Sequence, residues 1–481
     1  MTLFLANAAS AQVPYAAEDA FYQGVYHALN KNFTRAKETF EESLAIDPTY
    51  YRPKEGLKAI AALMGKKIDL ETAELFFKGL SLEKERTMEE ALAAFDEVIA
   101  RDPGFPLSYF MRGNAYDTGG RYELAIADFS RAIELDPDYG DAYNSRGLSY
   151  YKSGLYGRAI YDFSAVINLN PGYAAAYYNR GLAYYKNGQY ERAEKNITLA
   201  IEANPDDIAA YRARGTAFLA VGETNRAIAD FNRAVEIDPA FAEGYFIRGL
   251  IYASQDQFVL AIADFDRAVA ADPNYAEAYY NRGNAYRDRG QYFKAVADYN
   301  RALKIYAGDI DPYNLVVSSF AGELDPIVSD VYYNRGTAHI YKAQYDLAIE
   351  DFNGAIAINA LDADTYNNRG VAYSKKGEYD RAVLDFDMAI SLDKEFAYAY
   401  KNRGTAYLAA GKYDQAIDDF NWVTRLDPRL GMPYYDTAIA YEKSGRKKEA
   451  IRAYKKFIDT APPQYETYIN RAREKITELS K

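Results

Sequence analysis

Arginine, aspartate and asparagine recur in this chain at fixed spacing, and what those groups do is recognise charge and peptide units. Arg112, Arg146, Arg180, Arg214, Arg248 and Arg282 stand 34 residues apart, each followed by Gly, and Arg335, Arg369 and Arg403 resume the step after one interruption. Sixteen residues beyond eight of these nine arginines lies an aspartate: Asp128, Asp162, Asp230, Asp264, Asp298, Asp351, Asp385 and Asp419. The exception is Asn196. Three further units lack the arginine and lack the aspartate too, carrying Thr39, Ala94 and Ala453 at that place. Such matched residues predict a repeated Arg-Asp ion pair, within a unit or between adjacent ones. An open arginine row would bind phosphate instead, but the regular acidic match argues against it. The residue before the arginine is Asn179, Asn281, Asn334, Asn368 or Asn402 in five units. An amide carries both a donor and an acceptor, so it can pair with a peptide group whatever the side chain beside it.

Other chemistry is sparse. The chain of 481 residues has two histidines and no cysteine. His27 and His339 stand where other units have Tyr and are expected to pack. Disulfides, thiol catalysis and Cys-ligated metal are excluded. No Gly-rich phosphate loop, metal-ligand cluster or nucleophile motif is present, so no cofactor, metal site or catalytic residue is expected. The net charge of -12 argues against nucleic acid as main partner. No apolar run reaches the roughly 20 residues of a membrane span.

The elements that must hold these residues follow from the period. A fixed step of this length means a stack of small units rather than one core. With each Gly as position eight, the unit from Pro106 has Tyr109 at four, Tyr116 at eleven, Ala125 at twenty, Phe129 at twenty-four, Ala132 at twenty-seven and Pro137 at thirty-two. At about 100° per residue, positions four, eight and eleven share one helix face, and twenty, twenty-four and twenty-seven share a face of a second helix. Small residues allow close approach; the aromatics fill the space beside them. Gly154 and Gly188 mark turns, and Pro137, Pro171, Pro205, Pro239 and Pro273 stop the second helices. This pattern resembles the tetratricopeptide repeat, with Tyr where that family has Trp, and covers about residues 17–481. The resemblance implies an all-α, right-handed superhelical solenoid of helix-turn-helix units.

About twelve units fit within a single solenoid over residues 17–481, after a linker at 12–16. Insertions interrupt the step at 51–71, where Leu57 to Met64 predict an extra helix, and at 310–328, which predicts a loop or helix-disturbing excursion. Residues 464–481 predict a capping helix, with Tyr465, Tyr468, Ala472, Ile476 and Leu479 on one face. Residues 1–11 resemble the end of a signal peptide, with small residues at alternate positions before Gln12. Export to a periplasmic or extracellular space is therefore expected; a cytoplasmic location is the alternative.

Positions two, six, nine and thirteen fall opposite the packing face of the first helix. In tetratricopeptide repeats that side is the concave groove. The asparagines at position six resemble the asparagine ladder in the repeats of O-GlcNAc transferases, where amides clamp an extended peptide; the rival reading is that Asn is there a soluble residue. Glu243, Glu277, Asp330 and Asp364 add acid at position two, suited to a basic or polar partner. Tyr151, Tyr185 and Tyr341 are expected to face the groove as exposed aromatics. Together these predict a non-enzymatic protein-interaction scaffold holding an extended peptide or partner helix. A structural subunit of an envelope or secretion assembly and a carbohydrate-binding module are the alternatives. Oligomeric state is not legible.

Overall fold

The computed structural model describes residues 14–48, 50, 52–82, 88–308 and 326–481. The signal-peptide expectation, most of the 12–16 linker and residues 310–325 of the second insertion lie outside them. The described residues are helical throughout, with short turns and one 3-10 turn at Pro463–Tyr465. They fall into two compact units, divided between Pro239 and Ala240.

The first unit opens with α1 (Tyr15–Leu29), α2 (Phe33–Ile46), α3 (Arg52–Met64), α4 (Leu70–Leu82) and α5 (Met88–Arg101). Four regular hairpins follow: α6 (Pro106–Thr118) with α7 (Tyr122–Leu135), α8 (Gly140–Lys152) with α9 (Tyr156–Leu169), α10 (Ala174–Lys186) with α11 (Tyr190–Ala203), and α12 (Ile208–Ala220) with α13 (Thr224–Ile237). The extra helix expected in the first insertion is α3. It packs on α2, while α4 packs on α1.

The second unit holds α14 (Ala242–Ser254) with α15 (Phe258–Ala271), α16 (Ala276–Asp288) with α17 (Tyr292–Ala307), α18 (Pro326–Tyr341) with α19 (Tyr345–Ile358), and α20 (Ala363–Lys375) with α21 (Tyr379–Leu392). It continues with α22 (Ala397–Ala409) and α23 (Tyr413–Leu426), α24 (Gly431–Lys443) and α25 (Lys447–Thr460), and ends on α26 (Glu466–Leu479). The second insertion does not break the packing: α18 lies against α17 as each first helix lies against the second helix before it. Ala472 is buried in α26, and Ile469, Ile476 and Leu479 close over Tyr435 and Phe457 as a cap.

Most hairpins form because the first helix offers a hole and the second a ring. A Cβ added to Gly249 would stand 2.7 Å from Phe265, and one added to Gly113 would stand 2.7 Å from Phe129. No side chain fits there, and the ring is fully buried as a result. The first helix ends on a residue with positive φ, for example Gly120 at 71° and Gly154 at 76°. Arg121 then donates its backbone N–H to Tyr116 and Gly120 to Asp117, satisfying carbonyls that the helix end would leave bare. Asp256 and Ala343 take the same left-handed conformation without glycine's freedom. At the other end Pro137 cannot continue α7, and Asp136 turns extended.

The same substitution should therefore act with opposite signs at two places. Gly249→Ala is expected to destabilise by about 1–3 kcal/mol despite its better helix propensity, because Phe265 must move. Gly157 in α9 has nothing within 4 Å of an added Cβ, so Gly157→Ala should gain about 0.5 kcal/mol. Thermal unfolding of both variants checks the pair.

Candidate functional site

The arginines are committed to the chain itself. In the first unit Arg112 donates from Nε and Nη2 to the two oxygens of Asp128 at 2.7 and 2.6 Å. Arg146 and Arg214 fork in the same way onto Asp162 and Asp230. Arg180 meets the Asn196 amide oxygen at 2.8 Å. In the second unit the forks are Arg248–Asp264, Arg282–Asp298, Arg335–Asp351, Arg369–Asp385 and Arg403–Asp419. The aromatic at position four lies beside the guanidinium, as Tyr279 does 5.2 Å from Arg282.

The third nitrogen leaves the hairpin. Arg112 Nη1 reaches Asp96 at 2.5 Å, Arg146 reaches Ser130 at 2.9 Å and Arg214 reaches Thr198 at 3.0 Å. In the second unit Arg282 reaches Asp266 at 2.7 Å, Arg369 reaches Asn353 at 2.7 Å and Arg403 reaches Asp387 at 2.5 Å. Each acceptor sits in the second helix of the preceding hairpin. The pair was expected within a unit or between adjacent ones; one guanidinium does both. Sequence reading missed these acceptors, although position twenty-five is a short polar residue in every unit named here. Burial pushes the carboxyls of Asp162, Asp298, Asp351 and Asp419 above the ordinary range, and their arginines pull back by less. A carboxyl raised in this way favours folding most below its unfolded pKa, and that contribution is lost as pH rises through the folded value. The forks thus align hairpins more than they add stability at neutral pH.

The asparagines line the first-helix face, the side of each first helix turned away from its second helix. In the second unit Asn334 donates to the Tyr280 hydroxyl at 2.9 Å and accepts from Arg287. Asn368 donates to the Tyr333 hydroxyl at 2.9 Å, and Asn402 to the Asn367 amide oxygen at 2.9 Å. These bonds join neighbouring first helices. Asn281 instead donates to the Glu277 carbonyl within its own helix. Neither expectation for these residues included this role: the amides are not idle solubilising groups, and part of their capacity is already spent on the stack. The partners at position five, Tyr280, Tyr333 and Asn367, were not foreseen. Their signal was polarity beside each Asn. Among the described residues, the Oδ1 atoms of Asn281 and Asn402 have no hydrogen-bond partner. Asp330 and Asp364 are exposed on the same face, while Glu243 and Glu277 are half-buried.

In the first unit this face is partly filled from within. Leu107 and Met111, at positions two and six of α6, are buried in one cluster with Ala59 and Ile60 of α3. Glu55 is fully buried, accepting from Tyr139 at 2.9 Å and Lys58 at 2.9 Å, and burial raises its carboxyl. Lys58 extends to Asp141 at the start of α8 at 3.4 Å. Asn179 is buried and lies 3.4 Å from Asn144.

The three tyrosines expected to face the groove as exposed aromatics differ in exposure, and Tyr151 corrects the expectation. Tyr151 is only 8% exposed, because its ring packs edge-on against Tyr156 across the hairpin turn. Tyr185 repeats the contact with Tyr190 and is half-buried. Tyr341 is 63% exposed and stacks on Tyr292 at 4.7 Å. His339 is buried, with Nδ1 2.9 Å from Gln344, and burial lowers its pKa.

Asp436 stands at position six of α24, where other units have Asn, with Lys401 as its charged neighbour. Burial pushes its carboxyl up to about 6 against the pull of Lys401. The folded pKa is above the unfolded one, so the protonated form favours folding, and that advantage disappears between about pH 4 and 6. Asp436→Asn is expected to stabilise by about 1–2 kcal/mol at pH 7.5 and by nothing measurable near pH 3.5. Denaturation at both pH values decides this. For the forks, Arg248→Met or Asp264→Leu alone should cost about 3–5 kcal/mol, and the double variant far less than their sum. A coupling energy near zero in the denaturation cycle would remove the pair from the account.

Family models match most of the repeating part. A model described as TPR repeat matches residues 113–154 and 149–188. Models described as tetratricopeptide repeat match 178–242, 212–276, 276–309, 329–360, 363–396, 397–430 and 434–463. The comparison with curated proteins found no match. Among solved structures, MamA is 27% identical, with a TM-score of 0.33 over 33% of this chain and 94% of its own. YrrB, described as a TPR protein with an unusual peptide-binding site, is 24% identical, with a TM-score of 0.35 over 40% of this chain and 98% of its own. Yeast Tom70 is 16% identical, with a TM-score of 0.36 over 85% of this chain and 96% of its own. With its helical hairpins, its glycine–aromatic contacts and these matches from residue 113 to 463, the chain belongs to the tetratricopeptide-repeat family.

Proposed function

We propose that this protein is a non-enzymatic interaction scaffold whose second unit holds an extended segment of a partner protein on its first-helix face. Asn281, Asn334, Asn368 and Asn402 provide one amide per hairpin in the same register; Glu277, Asp330 and Asp364 lie one helical turn before the first three, and Glu243 holds the same place one hairpin earlier. The observation that carries this reading is the pair of unspent acceptors, Asn281 Oδ1 and Asn402 Oδ1, beside amides already oriented by their neighbours. An orienting bond leaves less freedom to lose when a segment docks. The acceptors suit backbone N–H groups, and the acidic row suits lysine or arginine side chains. The first unit contributes less, because α3 already covers part of the equivalent face.

Asn281 and Asn402 are the positions to change, since their oxygens are unspent while those of Asn334 and Asn368 already accept from Arg287 and Asn367; only the single bond from Asn402 to Asn367 is lost from the stack. The double variant Asn281→Ala, Asn402→Ala should keep its unfolding midpoint within a few degrees and lose affinity for the natural partner about tenfold or more. Capture of the partner from the native source, followed by titration calorimetry with the purified partner, makes the comparison. Unchanged affinity would dismiss this face as the binding site.

A further inference from the structure

Along the edge of the second unit, where first helices turn into second helices, three successive hairpins share a charge pattern that the hairpins before them lack. In α19, α21 and α23 the second residue is acidic and pairs with a cation at the turn of the next hairpin. Asp346 meets Lys376 at 2.6 Å and Asp380 meets Lys412 at 3.0 Å, and Asp414 pairs with Arg446. At the junction of α17 and α18 the acid is replaced by Phe293, which is 78% exposed. Lys342, in the place of Lys376, rests its Nζ 4.2 Å from the Phe293 ring centre. Tyr341, in the place of Lys375, is exposed and stacked on Tyr292. Lys294 lies 5.0 Å from the Tyr286 ring. Among the described residues neither Lys294 nor Lys342 has a carboxylate within the 4.0 Å reach of an ion pair.

These residues line an open cleft of about 570 Å³, closed by Gln291 and Gln344. Val259 and Leu260, 63% and 48% exposed, hold the same edge positions one hairpin earlier. A single exposed aromatic needs no explanation, but a contiguous aromatic cleft with two uncompensated cations does.

We infer that this edge is a second docking surface, distinct from the asparagine face, for an acidic peptide segment of a partner protein carrying aromatic or large aliphatic anchors. The anchors would cover Phe293 and Tyr341 while carboxylates pair with Lys294 and Lys342. The chain is acidic overall, but at physiological salt charges beyond about 8 Å are largely screened, so the local lysines set the preference. A sugar chain fits less well. Recognition of its hydroxyls needs several directed polar groups, and Phe293 presents none.

The probe is a fluorescein-labelled peptide of four Glu-Glu-Phe repeats, followed by fluorescence anisotropy with the full chain. Saturable binding is expected, weakened about tenfold by Phe293→Asp, by Lys342→Glu, or by replacing each Phe of the peptide with Ala. Phe293→Asp should fold normally, because Asp346 and Lys376 show that an acid at this position is accommodated. Circular dichroism and the unfolding midpoint verify that. The Asn281→Ala, Asn402→Ala variant should bind the peptide as the parent does, which separates this surface from the asparagine face. Equal binding by the parent and Phe293→Asp overturns the inference, as does no binding at about 1 mM peptide. Binding of oligogalacturonate in place of the peptide, or self-association of the parent that Phe293→Asp abolishes, would likewise overturn it, naming a sugar or a second copy as the occupant.

Discussion

The structure depends on one close approach, between the glycine at position eight and the ring at position twenty-four. With Phe129 or Phe265 less than 3 Å from where a Cβ would stand, the two helices of a hairpin have one distance and one register. Every other repeated contact inherits that geometry. The arginine next to the glycine is brought level with its aspartate only because the helices lie this close. The same glycine costs helix propensity, and the buried ring offsets that cost. The glycine persists where the ring does not: in α10 Gly181 faces Ile197, and there the arginine meets Asn196 in place of aspartate.

The arginine then converts hairpins into a stack. Its fork is internal, its third arm is external, and one planar group thus couples two distances. The asparagines do a related job on the opposite side of the first helix, by way of Tyr280, Tyr333 and Asn367. A polar residue in such a stack can hold its neighbours and still present an unused atom. Asn402 does both: its nitrogen is bonded and its oxygen is open. Recognition and cohesion are therefore not alternatives for these residues.

The two units present different surfaces from similar hairpins. In the first, α3 fills part of the first-helix face, and a fully buried glutamate, Glu55, is the polar group at that contact. In the second, the comparable face carries amides and acids, and the hairpin edge carries Phe293, Tyr341 and Lys342. The insertion that follows α17 leaves the packing of α17 on α18 as it is elsewhere, so the stack tolerates added chain at the open end of a hairpin.

The hairpins, the close approach at the glycines and the Arg-Asp partners were legible in the sequence. Each arises from spacing inside one unit, and repetition amplified it. The extra helix was legible as well, from the apolar run ending at Met64. Its resting place was not, because the bond from Tyr139 to Glu55 spans 84 residues and occurs once, so no periodicity announces it. The burial of Tyr151 was also hidden, since position twelve looks outward on an isolated helix and only the next aromatic, Tyr156, covers it. Local, repeated geometry could be read from residue types alone. Which faces stay open was decided by contacts between segments far apart in the chain, and only the folded arrangement brings those together.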